Sequence, residues 1–167
     1  SKLDLERAMS PDCDLIVRPG LVLGRTETGL FHRMCELIRT SSVVPLFGGG
    51  RQPLQTIHID DLCEAIVRAL QRDLTGVLSV AEPEPMSLEA FLRRMADLMG
   101  IRCLFVPLPF DPILGMMRVI ETLHLPLRLR SENLLGLKAL RRVPVDEDFE
   151  RLDLFVRSAE ESLADLY

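Results

Sequence analysis

Arg25, Arg51 and Gln52 are the side chains in this sequence best suited to a phosphate-bearing substrate. A guanidinium offers two parallel N–H donors to a phosphate, and an amide adds a neutral donor beside it. For Arg51 a solvated surface side chain is the preferred reading, with phosphate contact the alternative. Asp60 and Asp61 adjoin one another in Ile57-His58-Ile59-Asp60-Asp61-Leu62. Paired carboxylates suit a metal ion or acid–base chemistry, but Asp61 with Glu64 three residues on also has the spacing of a helix capping box, which is the reading taken. His58, flanked by two isoleucines, reads as a packed, hydrogen-bonded histidine. Cys13, Cys35, Cys63 and Cys103 do not pair with His32, His58 or His124 at metal-ligand spacing, so no metal site is expected. Gly48-Gly49-Gly50 leads into Arg-Gln-Pro rather than into a helix, and no G-x-G-x-x-G occurs, so no phosphate-cradling loop is present.

The elements that must position these groups come from a chain of 167 residues, 47% of them hydrophobic, with 20 Lys and Arg against 25 Asp and Glu for a net charge of −5. That apolar content supports a core of ordinary domain size and excludes wholesale disorder. The acidic balance argues against non-specific nucleic-acid binding, which needs clustered cations. No stretch approaches the roughly 18 apolar residues of a membrane span. The cysteines, scattered among apolar neighbours, read as buried thiols of a reducing, cytoplasmic compartment. The opening residues, without a basic and then apolar run, do not read as a signal peptide, so none is expected. The opening SKLDLERAM has helical spacing without an N-cap, as if a helix were entered midway, so the sequence reads as a fragment.

Leu15-Ile16-Val17 is apolar throughout, as a buried parallel strand should be, and Arg18-Pro19-Gly20 stops it. Leu21–Gly24 follows as a loop at its carboxyl end. A helix is expected over 29–40 from Leu30, Phe31, Met34, Leu37 and Ile38, a strand over Val43–Phe47, and an extended piece at Thr56–Ile59. The next helix starts at Asp61 and buries Leu62, Ala65, Ile66, Ala69 and Leu70. Val77–Ala81 is a second parallel strand. Ser87 then caps a helix that ends at Gly100, with Met86 and Phe91 forming a hydrophobic staple. Ile101–Val106 is a third strand. Helices are expected over 111–123, 131–141 and 158–166, the last capped by Ser158 and Glu161; residues 142–157 have no clear pattern. Phe110 with Met116 and Met117 could line a pocket in this helical part, although core packing is the commoner use of such residues. Alternation of strand and helix to about 106 argues an α/β fold with a parallel sheet, followed by helices.

Three segments in order resemble the extended and atypical short-chain dehydrogenase/reductase families, the NAD(P)-dependent epimerase/dehydratase group. They are Ser1-Lys2 followed by LIVRPGLVLG over 15–24, IHIDDL over 57–62, and GVLSVA over 76–81 leading to MSLEAFLRRMADLMG. The likeness covers about residues 1–106. The stretch RSENLLGLKALRRVPVDEDF looks more like the atypical members, among them the group related to an accessory subunit of respiratory complex I.

The resemblance implies the C-terminal part of a Rossmann-like doubly wound parallel sheet, residues 1–106, with a mostly helical substrate subdomain at 107–167. It implies that strands 13–18 and 77–81 share one parallel sheet. Lys2 matches the family's active-site lysine, which holds the nicotinamide ribose and lowers the pKa of a tyrosine that would lie before Ser1. Pro19, Gly20, Leu21 and Val22 match the nicotinamide-contacting turn. NAD or NADP is then the cofactor of the full-length parent, with none expected on this fragment alone. A small molecule, with a nucleotide sugar as the family's usual kind, is the substrate; a homodimer is left open. The chain departs from the sugar-nucleotide pattern at Leu54, where an arginine is usual. The alternative is a non-catalytic dinucleotide-binding scaffold or sensor, and a self-standing α/β interaction domain is a third reading.

Overall fold

A computed structural model describes residues 8–10, 12–25, 27–114 and 131–167. The elements in chain order are β1 (Leu15–Pro19), β2 (Leu21–Leu23), α1 (Gly29–Thr40), β3 (Val43–Phe47), a tight turn at Gly48–Gly50, β4 (Pro53–Leu54), β5 (Thr56–His58), α2 (Ile59–Gln71), β6 (Gly76–Val80), β7 (Met86–Ser87), α3 (Leu88–Leu98), β8 (Leu104–Leu108), α4 (Ser131–Lys138), α5 (Asp146–Leu152) and α6 (Ala159–Leu166). The fold is α/β with parallel strand pairs. Contact density groups the chain into two units interleaved in sequence: residues 1–27, 55–85 and 143–167 form one, and 28–54 with 86–142 form the other.

In the first unit β1 and β6 run parallel, Leu15 opposite Gly76 through Pro19 opposite Val80, so the two strands marked by the sequence do share one ladder. β2 pairs in parallel with β5, Leu21 opposite Thr56. Leu21–Leu23 is therefore strand, not the expected loop. It forms because Gly20 N–H is held by Val80 O and Leu21 N–H by Gln55 O, which turns the chain from one ladder directly into the next. The core gathers Ile57, Ala65, Ala69, Leu78, Val80, Phe149, Leu152 and Leu154. α2 begins at Ile59, two residues before the expected start. His58 is its N-cap, accepting from Asp60 N–H, and Ile66 and Leu70 face solvent instead of the core. Ala65 and Ala69 form the fully buried stripe, with Leu62 packed beside them, because small residues let the helix approach the strands.

The segment 142–157, without a pattern in sequence, holds α5. Val145, Phe149, Leu152 and Leu154 give it a buried face against β6 and α2. Its charges had hidden that face. Three acids in its first turn complement the helix dipole. Arg68 of α2 donates to the carbonyls of Leu152 and Asp153, and Arg72 to that of Arg151, so two cations satisfy its last turn. Asp148 Oδ2 accepts the N–H of Ser79 at 2.8 Å, giving β6 a side-chain partner where a strand would otherwise lie.

In the second unit β3 pairs in parallel with β8, and β4 is antiparallel to β7. α1 and α3 have the expected spans, and Phe31 meets Phe91 edge-on at 6.5 Å between centroids. Ser87 Oγ accepts Ala90 N–H, and Gly100 takes a left-handed φ of 68° just beyond the helix, both as expected. β8 starts three residues late, at Leu104. α4 ends at Lys138, short of 141. Of the helix expected over 111–123, residues up to 114 are described and helical, and Met116 and Met117 lie outside the described residues. None of the four cysteines, all of them among the described residues, is in a disulfide; Cys35 is buried and Cys103 half-buried, but Cys13 and Cys63 are exposed, against the expectation of four buried thiols.

Removing the Asp148 carboxylate strips the β6 edge of a hydrogen-bond partner and α5 of a first-turn anion. Asp148→Ala is expected to cost about 1–2 kcal/mol, read as a lowered urea midpoint with an unchanged slope.

Candidate functional site

The carboxyl ends of parallel strands are where an α/β sheet gathers its ligands. In the first unit this edge is built from Pro19, the last residue of β1, then Gly20, then Leu21 and Val22 of β2, so the four residues singled out in sequence are brought together as one continuous turn. Gly20 is demanded by the chain itself. A Cβ there would lie 2.6 Å from Gln55 O and 2.8 Å from Ala81 Cβ, neither of which can move freely. Gly20 and Leu21 spend their N–H groups on Val80 and Gln55. A parallel ladder turns alternate residues to opposite edges. With Leu21 bonded to Gln55, the N–H and C=O of Val22 point away from β5, and among the described residues β2 pairs with β5 alone.

Beneath this turn sits a buried polar framework that the sequence did not reveal. Glu82, 4% exposed, accepts Thr56 N–H and Thr56 Oγ1–H on one carboxylate oxygen and Ala159 N–H at 2.7 Å on the other. Burial pushes its carboxyl above the ordinary value of 4.5, against the hydrogen bonds from Ala159 and Thr56 that pull it down. Gln55 is also buried: its amide nitrogen donates to Glu82 O and Val143 O, and its oxygen accepts Val143 N–H. The sequence offered only a glutamate standing just before Pro83 and Pro85, a pair that reads as a chain break.

A second cluster lies at the start of α2. Asp61, 7% exposed, accepts Arg157 N–H at 2.9 Å and faces its guanidinium at 3.0 Å. Asp61 thus clamps the segment before α6 rather than opening a capping box with Glu64, which pairs instead with Arg68. His58 Nδ1 is met by Asp60 N–H and by Arg157 Nη1 at 3.0 Å, so the neutral ring carries its proton on Nε2, which lies 3.4 Å from Asp165 Oδ2. His58 is buried and hydrogen-bonded, in line with its reading as a packed histidine. The expected box at Ser158 and Glu161 is present; hydrogen bonds from the Ser158 backbone and hydroxyl hold the Glu161 carboxyl below its ordinary value.

Arg25 belongs to the first unit, where it is exposed and donates to Asp165 O at 3.4 Å. Arg51 and Gln52 belong to the second, after the glycine turn, whose three residues all have φ between 63° and 71°. Arg51 is exposed. Gln52 is 8% exposed; its amide nitrogen donates to Phe47 O at 2.7 Å, while its oxygen has no partner among the described residues. Phe110 closes on the same turn, its ring where a Cβ of Gly48 would be, with Lys138 above it. Lys2 lies outside the described residues. Among the described residues no group of three His, Cys, Asp or Glu is arranged to hold a metal, and no helix is long and apolar enough to cross a membrane.

No family model matches the chain. It is 28% identical over 98 residues to 4-hydroxy-2-methyl-3-oxo-4-farnesyl-3,4-dihydroquinoline-1-oxide ketoreductase of Stigmatella aurantiaca, a stretch that is 58% of this chain and 29% of that protein. Among solved structures it is similar to the human epimerase family protein SDR39U1 with NADPH (TM-score 0.68, 22% identity, 90% of this chain and 47% of that one). It is also similar to gox2253 (0.72, 18%, 98% and 51%) and to MoeE5 in complex with UDP-glucuronic acid and NAD (0.62, 18%, 98% and 50%). The chain therefore spans about half the length of these structures. The fold is the Rossmann-like α/β fold of NAD(P)-dependent epimerase/dehydratase and short-chain dehydrogenase/reductase proteins, and the resemblance carried by the sequence motifs stands.

A dinucleotide has, among its parts, a nicotinamide end and a central pyrophosphate to be held. The residues present fit one of them, since Val22 turns an uncommitted backbone edge outward beside Pro19. They do not fit the pyrophosphate, because among the described residues the glycine-rich turn Gly48–Gly50 leads to β4 and not to a helix.

Glu82→Gln places an amide N–H₂ against Ala159 N–H or the Thr56 donors. The loss is about 1–3 kcal/mol at neutral pH. Because the folded chain holds the Glu82 proton more tightly than the unfolded one, that proton's contribution is full below 4.5 and fades as pH rises through the raised folded-state value. The wild-type lead over Glu82→Gln should therefore widen on acidification, measured by urea unfolding across this range.

Proposed function

We propose that the chain is the substrate-side portion of an NAD(P)-dependent epimerase, dehydratase or reductase. The observation that carries this reading is the Pro19–Val22 turn at the carboxyl end of the β1·β6 parallel ladder. There the outward backbone edge of Val22 and the ring of Pro19 would receive the nicotinamide end of NAD or NADP. The bound cofactor would supply hydride transfer. Lys2 would lie one helix away in sequence, holding the ribose and biasing an upstream tyrosine toward proton transfer. Glu82, Gln55 and Asp61 act as positioning residues: they fix the backbone of Thr56, Ala159, Val143 and Arg157 around the turn. Arg25, Arg51 and Gln52 remain the proposed substrate contacts. Residues 107–167 are proposed as the part that shapes the substrate side. A nucleotide sugar is the proposed substrate class on the analogy of MoeE5, whose structure holds UDP-glucuronic acid.

One observation favours a second reading, a non-catalytic dinucleotide-binding scaffold. Leu54, where sugar-nucleotide members usually carry arginine, is 6% exposed in β4 and offers a ligand phosphate nothing.

Both readings require the pyrophosphate to be held by residues outside this sequence. Titration of NADH and NADPH into the 167-residue chain should give no micromolar binding by calorimetry; a micromolar constant would contradict the assignment. The encoding gene separates the two: a tyrosine four positions before Lys2 supports the enzyme, and its absence supports the scaffold.

A further inference from the structure

We propose that the face of α5 and the segment after it is a docking surface for a basic polypeptide segment carrying apolar side chains. Phe155 is 96% exposed, the most exposed of the large apolar residues described. Its neighbours Leu154 and Val156 pack against the core, Leu154 within it, and leave the Phe155 ring outside. Beside it lies a recess of about 520 Å³ with Phe149, Leu154, Val156 and Pro83 along its walls and Asp146, Glu150 and Asp153 at its edge.

The charges choose the occupant. Residues 144–156 contain five acids and one arginine. Asp148 is committed to Ser79 and Arg151, and Asp153 faces Arg72 at 3.6 Å. Asp146 and Glu150 make no ion pair among the described residues. First-turn acids suit the helix dipole, which accounts for Asp146, but Glu150 lies beyond that turn and gains nothing from it. A second copy of this chain would set like charges against each other across a symmetric contact. A small cation would sit among the carboxylates and leave the Phe155 ring in water. A peptide that places Lys or Arg against Asp146 and Glu150, and an apolar side chain on Phe155 and into the recess, covers all of it.

The face lies in the unit where α5 packs against β6, at the edge of the ladder that Asp148 already blocks. Further strands joining at β1 would not cover it.

The test uses the 167-residue chain with a fluorescent Leu/Arg peptide, its Leu/Glu counterpart and spermidine, read by anisotropy. The Leu/Arg peptide should bind and the Leu/Glu peptide should not. Phe155→Ser and Glu150→Lys should each weaken binding by about tenfold or more, with unchanged circular dichroism. Glu36→Lys, a charge change on α1, should leave binding within about twofold. The proposal is overturned if the Leu/Arg peptide does not bind, if Phe155→Ser binds as wild type does, or if Glu36→Lys weakens binding as much as Glu150→Lys. Full displacement by spermidine would make this a small-cation site instead. Sedimentation showing a dimer that Phe155→Ser dissolves would make the occupant a second copy.

Discussion

The Glu82 carboxylate is the point at which three separate stretches of the first unit are tied. Its oxygens reach Thr56 at the start of β5 and Ala159 at the start of α6, while its own carbonyl takes the Gln55 amide and its N–H donates to Thr56 O. Removing a carboxylate from water is costly, and the rise in its pKa records that cost. What offsets it is that each of those donors would otherwise be buried without a partner. Two are backbone groups at element starts, where a helix or strand has not yet supplied an intramural bond. The carboxylate therefore settles where β5 and α6 begin, and through them where His58, Asp61 and Arg157 meet.

That framework changes the meaning of the glycine in the Pro19–Val22 turn. Read from sequence, Gly20 is a residue that lets a backbone come close to a ligand. In the structure the close approach is already made by Gln55 O and Ala81. The turn is narrow because two parallel ladders, β1·β6 and β2·β5, are joined by one residue. Whatever a ligand receives from this turn comes through Val22, whose alternation in the ladder frees its backbone, and not through the glycine.

The apolar elements were legible where periodicity and punctuation agreed. α1, β3 and α3 have the spans their patterns imply, with Ser87 and Gly100 marking the ends of α3. β2 was missed because three apolar residues after Pro-Gly look the same as a loop, and only the partner β5 distinguishes them. α5 was missed because its seven residues carry five charges, and within the helix itself Phe149 and Leu152 are the buried residues. The site divided along the same line. The turn Pro19–Val22 was singled out by the resemblance of residues 15–24 to a family motif, which is a local run of sequence. Glu82 and Arg157 could not be, since each takes its role from partners 26 to 99 positions away, and no local pattern encodes such a pairing.

The surface that stays under-buried carries the same logic. Leu15, Ile16 and Val17 are apolar throughout, as a strand covered on both faces should be, yet each is only half-buried. α2 leaves Ile59, Ile66, Val67 and Leu70 substantially exposed, although Ala65 and Ala69 press closely on the core. A parallel pair such as β1·β6 gains little from two strands alone; its apolar residues are matched to a wider sheet with helices on each side. The proposed reading supplies that wider sheet, since the structures this chain resembles are about twice as long. Strands added beside β1 would bury Leu15–Val17 without disturbing the β6 edge, which α5 and Asp148 have already closed. The edge that is blocked and the apolar surface that is bare thus agree on the side from which the rest of such a fold would join.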